Sequence, residues 1–122
     1  MNFDTCPEFD REVKRLSKKW RSLPDDLNDA KIQINSLYVG EDEADLIEYR
    51  AAFFNNKRAS ILNLSKDVEV VKMRLDVAAL SRNDKVRLIF VAIKSRNEIK
   101  FIELFAKNEK SREDQKRIRK YL

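Results

Sequence analysis

The spacing of apolar residues changes period once along this chain, and that change fixes the kind of fold it can reach. Through residue 39 the apolar positions recur every three or four residues, whereas from Val68 onward they alternate. The first pattern puts a stripe on one side of a helix, and the second gives a strand one buried face. A chain that runs helical first and strand-like last reads as α+β, with helices covering one face of a sheet.

Phe9, Val13, Leu16, Trp20 and Leu23 make the first stripe and predict a helix over 7–23. Pro7 suits its first turn, Glu8 and Asp10 suit the positive end of its dipole, and Lys18, Lys19 and Arg21 crowd the other end. Leu23-Pro24 ends it, because the residue before a proline avoids the α region. A second helix is expected from Pro24 to about Val39, with Leu27, Ala30, Ile34, Leu37 and Tyr38 inward and Gly40, the only glycine, as its C-cap. Two such helices joined by a short proline turn read as an antiparallel hairpin. Residues 41–67 start acidic and turn basic at Lys57-Arg58; they read as an insertion, which a helix over 44–54 and an extended piece at 61–64 would fit.

Strands are then expected at 68–76, 85–94 and 99–107, with residues 95–98 as a hairpin connection between the last two. A short strand at 2–6 also fits, and SREDQKRIRKYL reads as a closing helix capped by Ser111. The 122 residues thus form one domain: an antiparallel meander with the helical hairpin on one face and a short C-terminal helix.

Composition narrows the chemistry. There is no histidine, which excludes histidine acid–base and triad catalysis, and Cys6 is the only cysteine, which excludes an internal disulfide or a cysteine metal cluster. No metal and no cofactor are expected. The acidic N-terminal residues do not suit a secretory signal, and no apolar run approaches the roughly 18 residues of a membrane span. The expectation is a soluble cytoplasmic protein with no membrane partner. The 26 basic against 21 acidic residues, a net +5, lean mildly toward polyanions.

The cations fall in a pattern. Lys72 and Arg74 are two apart on the first meander strand, Lys85 and Arg87 repeat this on the second, and Lys107 and Lys110 follow the third with Glu109 between them. Sequential pairing would gather them on one face, where like charges opposite one another are destabilising and call for an anion. Strand lysines also serve as a solvated face or as edge guards, and for Lys72 and Lys85 taken alone that reading is the favoured one. Arg87 resists it, because Leu88–Ile93 after it is too apolar for a solvated face. Glu103 interrupts the third strand in the same way and is expected to pair with a sheet arginine. A face of this kind can hold a phosphate backbone, with arginine bidentate and lysine as a point charge. Phosphodiester cleavage by a neighbouring 2′-hydroxyl is compatible with it, needing orientation, charge stabilisation and a proton acceptor such as Lys, Glu or Tyr.

The segments VVKMRLDVAALSRNDKVRLIFVAI and IKFIELFAKNEKSREDQKRIRKYL resemble RelE/ParE-superfamily toxins of bacterial type II toxin–antitoxin modules, most closely the RelE/HigB-like branch. Lys72-Met73-Arg74 matches the family's "K-h-R" strand, Arg87-Leu88-Ile89-Phe90 its "R-h-I-Y/F" strand, and Lys107-Asn108-Glu109-Lys110 the "K-x-E-K" that follows the last strand. FDREVKRLSKKWRSLPDDL looks like its opening helix, so the likeness covers 1–39 and 68–122. The resemblance implies a RelE-like fold and a metal-independent endoribonuclease that cleaves mRNA on the ribosome and is neutralised by a cognate antitoxin. It implies a catalytic set of Arg87, Arg74, Lys72, Lys107 and Lys110, with Arg87 on the scissile phosphate. Lys85, Arg82, Lys57 and Arg58 would bind RNA, and Glu109 or Tyr121 would serve as base or orienting group. Three features depart from the family pattern: the loop VAALSRND lacks the usual glycines, Phe105 stands where a Tyr or His is common, and the acidic insertion is unusual. A ParE-like DNA gyrase inhibitor and a non-catalytic module that binds nucleic acid or antitoxin are the alternatives.

Overall fold

The computed structural model describes residues 1–40, 42–55, 58–80 and 85–122. Along the chain come strand β1 (Asn2–Thr5), helices α1 (Pro7–Ser17), α2 (Leu23–Tyr38) and α3 (Glu43–Phe54), and strands β2 (Ala59–Leu64) and β3 (Val68–Arg74). Strands β4 (Val86–Ile93) and β5 (Glu98–Ala106) and the short helix α4 (Gln115–Arg119) complete it. The class is α+β, and the five strands form one sheet in the order β1-β5-β4-β3-β2. Antiparallel pairing joins β2 to β3, β3 to β4 and β4 to β5. β1 lies parallel to β5, so the sheet is mixed rather than a pure antiparallel meander.

Several boundaries move for local reasons. α1 stops at Ser17, yet Trp20 and Leu23 stay buried, because turn hydrogen bonds from Trp20 N–H to Leu16 O (2.8 Å) and Leu23 N–H to Trp20 O (3.1 Å) keep them on the same side. The stripe therefore runs on past the helix that it predicted. Val39 leaves α2 in an extended conformation, and no glycine has positive φ, so Gly40 is not a left-handed cap. Asp114, not Ser111, caps α4, its Oδ1 accepting from the N–H groups of Lys116 (3.1 Å) and Arg117 (3.2 Å). The left-handed residue of the β4–β5 connection is Asn97 (φ 51°), a residue type that tolerates that region.

The insertion is regular structure. Asp42 caps α3 by accepting from Ala44 N–H at 2.9 Å, and β2 adds an edge strand beside β3. One buried charge ties α3 to the sheet. Glu69, on the helix-facing side of β3, accepts two hydrogen bonds from Arg50 of α3 (3.0 Å each) and one from Tyr38 Oη (2.8 Å). The Arg50 guanidinium lies between the rings of Tyr38 and Phe54, 5.3 and 5.2 Å from their centroids. Burial first, and then the Glu69 carboxylate, push the Tyr38 pKa well above its ordinary value.

Val71, Met73, Leu88, Phe90, Phe101 and Leu104 form the same sheet face and pack under Phe9, Leu16, Leu27, Ile34 and Leu37. Phe101 meets Phe9 edge-on at 5.6 Å, fixing α1 over β5. Removing the Arg50 partner would strand a carboxylate in this core, a loss on the order of 3 kcal/mol. Arg50→Met is therefore expected to lower the unfolding free energy by that much, read as a lower urea midpoint at unchanged slope, whereas an unchanged midpoint would mean that Glu69 does not depend on α3.

Candidate nucleic-acid interface

The sheet face turned away from the helices carries the cations. Arg74 and Arg87 are directly opposite each other across β3 and β4. Leu75 N–H bonds Val86 O at 3.0 Å, which makes Arg74 and Arg87 a non-hydrogen-bonded pair, the geometry in which antiparallel Cα atoms come closest, about 4.5 Å. Arg87 in turn faces Phe105 on β5. Two residues back along β3, Lys72 shares this face with Arg74, and its partner row runs Ser60, Lys72, Ile89, Glu103. A pocket of about 220 Å³ opens here, lined by Arg58, Ser60, Lys72, Arg74 and Arg87 among others. A cavity of about 260 Å³ between α2 and residues 75–80 is lined by Asp26, Asp29 and Asp76, a poor setting for phosphate.

Arg74 is the least satisfied of these groups. Its Nε is buried without a hydrogen-bond partner, and no carboxylate among the described residues lies within ion-pairing distance of it. Arg87 donates to Val86 O at 3.4 Å and is half-buried. Lys85 and Lys107 meet at the sheet end, where Lys107 N–H bonds Lys85 O at 2.7 Å, and both side chains are exposed. They prolong the cationic face beyond the arginine pair.

The other expected residues lie elsewhere. Arg58 borders the pocket, but its guanidinium reaches Gln33 Oε1 (2.6 Å), faces Asp76 (3.8 Å) and covers the Phe53 ring. Glu109 pairs with Arg15 of α1 at 2.8 Å. Tyr121 stands over Lys100, five positions before Phe105 on β5, and burial first, then Cys6, push its pKa up to about 12. Neither base candidate faces the arginine pair. Lys57 and Arg82 lie outside the described residues.

Residues 107–114 cross this face and bring in groups that the strand pattern did not reveal. Glu103, fully buried, pairs with Lys110 and accepts from Asp114 N–H at 2.8 Å, so its partner is a lysine of this segment rather than a sheet arginine. Glu113 pairs with Lys72 at 2.8 Å. The Lys72 and Lys110 ammonium groups flank the Phe105 ring, 5.8 and 5.2 Å from its centroid. Burial works to raise the Glu113 pKa, but the hydrogen bond and charge of Lys72 outweigh it and hold the group below its ordinary value.

No family model and no curated protein matches the sequence. Among solved structures, a chain of the crystal structure of the archaeal RelE–RelB complex from Pyrococcus horikoshii OT3 is similar, with a TM-score of 0.54 and 14% identity. The match covers 89% of this chain and 97% of that one. The fold is RelE-like. Among the described residues no group of three or more Cys, Asp or Glu is placed to hold a metal ion, and no helix is long and apolar enough to cross a membrane.

Two outcomes follow from this geometry. Arg74→Met removes a buried orphan donor and a facing like charge, so it is expected to stabilise the protein by about 1 kcal/mol at low salt. Thermal unfolding with and without added phosphate reads this, and phosphate should close the gap by stabilising only the wild type. Glu113 has a lowered pKa in the folded protein, so its contribution is present above the ordinary carboxylate range and lost as pH falls through the folded value. Glu113→Gln is expected to remove that part of the acid-induced loss of stability and to leave the profile above pH 6 parallel to the wild type.

Proposed function

We propose that this chain is the toxin of a toxin–antitoxin module and blocks translation by cleaving mRNA on the ribosome as a metal-independent endoribonuclease. The observation that carries the reading is the directly facing Arg74–Arg87 pair beside an open pocket, with the Arg74 Nε buried and without a hydrogen-bond partner. A phosphodiester would offset the repulsion between the two facing cations. Arg87 and Arg74 hold the non-bridging oxygens, and the exposed Lys85 and Lys107 extend the positive field along the strand of RNA.

Cleavage would proceed by attack of the adjacent 2′-oxygen on phosphorus as its proton passes to solvent water, which also supplies the proton that the leaving oxygen takes up. The P–O5′ bond breaks, leaving a 2′,3′-cyclic phosphate on one fragment and, after protonation, a 5′-hydroxyl on the other. The arginines stabilise the additional negative charge of the phosphorane, the largest electrostatic contribution open to a site without histidine or metal. Orientation of the 2′-oxygen in line with the leaving oxygen supplies the rest. The solved neighbour is a RelE–RelB complex, which supports a cognate antitoxin as the protein partner. The ribosome, mRNA and a cytoplasmic location complete the proposal.

One observation favours a second reading. Glu109 and Tyr121 both face away from the arginine pair, which suits a module that holds nucleic acid without cutting it.

Induced expression followed by primer extension on cellular transcripts separates these readings. The nuclease reading expects growth arrest with cut mRNA, and relief of the arrest in a folded Arg87→Ala variant. Uncut transcripts with damaged DNA would point to a ParE-like gyrase inhibitor, and retained RNA binding with no arrest to the non-catalytic module. Full toxicity of a folded Arg74→Ala/Arg87→Ala protein would overturn the proposal.

A further inference from the structure

Lys72 belongs to the cationic face, yet an anion from the same chain already occupies it. Glu113 Oε2 lies 2.8 Å from Lys72 Nζ, the distance at which an ammonium holds a charged oxygen. The Glu113 side chain is only 7% exposed, and its other oxygen accepts from Gln115 Nε2 at 3.0 Å. The carboxylate is therefore held in place rather than resting at the surface.

Its placement comes from the residues on either side. A tight turn follows β5, with the N–H groups of Glu109 and Lys110 both bonded to Ala106 O at 3.0 and 3.2 Å. Beyond it, buried Glu103 grips Lys110 through its side chain and Asp114 through its backbone N–H. Glu113 sits just before the second of these anchors, and so residues 107–114 lie pinned across the sheet with its carboxylate directed at Lys72. Glu103 does not depend on Glu113 for either contact. Displacing the Glu113 side chain alone would leave both Glu103 anchors of the segment in place.

The consequence for charge is specific. Lys72 and Lys110 are each neutralised by a carboxylate, while Arg74 has none among the described residues. We propose that Glu113 is a built-in competitor for the phosphate position at Lys72, which a phosphodiester of single-stranded RNA must displace before Lys72 can join the arginine pair. The proposal rests on the reading of this face as an RNA site. Glu113 would keep weak anions off Lys72 and set a threshold that a phosphodiester also held by Arg74 and Arg87 can pass.

The test measures binding of a short fluorescent oligouridylate to the full chain at low salt by anisotropy. Glu113→Gln is expected to tighten binding about fivefold to tenfold and to steepen the salt dependence by roughly one counterion. Glu113→Ala, as a second variant, should do the same. Lys72→Gln should weaken binding, and adding Glu113→Gln to it should then change nothing. Glu48→Gln on the exposed side of α3 makes the same change in net charge and should have little effect.

Unchanged or weaker binding in the folded Glu113 variants would overturn the proposal. So would equal tightening by Glu48→Gln, or tightening that persists without Lys72. Arg74→Ala/Arg87→Ala distinguishes the two levels of inference. Loss of binding in that variant, with no response to Glu113→Gln, removes the competitor and keeps the RNA face. Undiminished binding in it removes both.

Discussion

Two arginines placed directly opposite each other in neighbouring strands are the constraint around which this sheet is organised. The pairing of β3 with β4 forces Arg74 and Arg87 together, and the pairing of β4 with β5 sets Phe105 beside them. Like charges at this separation weaken a sheet. The burden is borne by an apolar face on the other side, where Val71, Met73, Leu88, Phe90 and Leu104 are buried under the helices. The register is fixed by that face. A slip of one residue would bring the cations into the core, so the same packing that holds the strands also holds the two guanidinium groups together.

The fold treats its buried charges in two ways. On the helix side Glu69 is fully engaged by Arg50 and Tyr38, and it ties the inserted α3 to the sheet. On the other side Glu103 anchors residues 107–114 through Lys110 and the Asp114 backbone, and Glu113 takes Lys72. Arg74 is left with an unpartnered Nε beside an open pocket. Among the described residues Glu69, Glu103 and Glu113 each meet a cation while the Arg74 Nε has no hydrogen-bond partner, and the proposed reading of this face as a binding surface rests on that contrast.

Much of this architecture is legible in the sequence. The change from helical spacing to alternation marks β3, β4 and β5 to within two residues, and the paired spacing of Lys72 with Arg74 and of Lys85 with Arg87 marks the cationic face. The end of α1 is not legible, because Trp20, in the turn after it, and Leu23, which opens α2, keep the helical spacing and stay buried. The strand at the start of the chain is legible, but its parallel place beside β5 is not, since that pairing joins segments far apart in the sequence. Glu113 could not be found at all from local pattern. Its partner is 41 residues away, and the acidic residues after Ser111 read equally well as the first turn of a helix. Glu103 could be singled out as misplaced, but its partner came from a segment whose path over the sheet no periodicity describes.

The most direct test of the central claim observes the arginines themselves. In a protein labelled with ¹⁵N on arginine, the guanidinium Nε–Hε signals of Arg74 and Arg87 can be followed by NMR as a short single-stranded RNA is added at low salt. The account predicts that these two signals shift first and together, and that added salt reverses the change. Titration that moves other arginine signals and leaves those of Arg74 and Arg87 in place would contradict it.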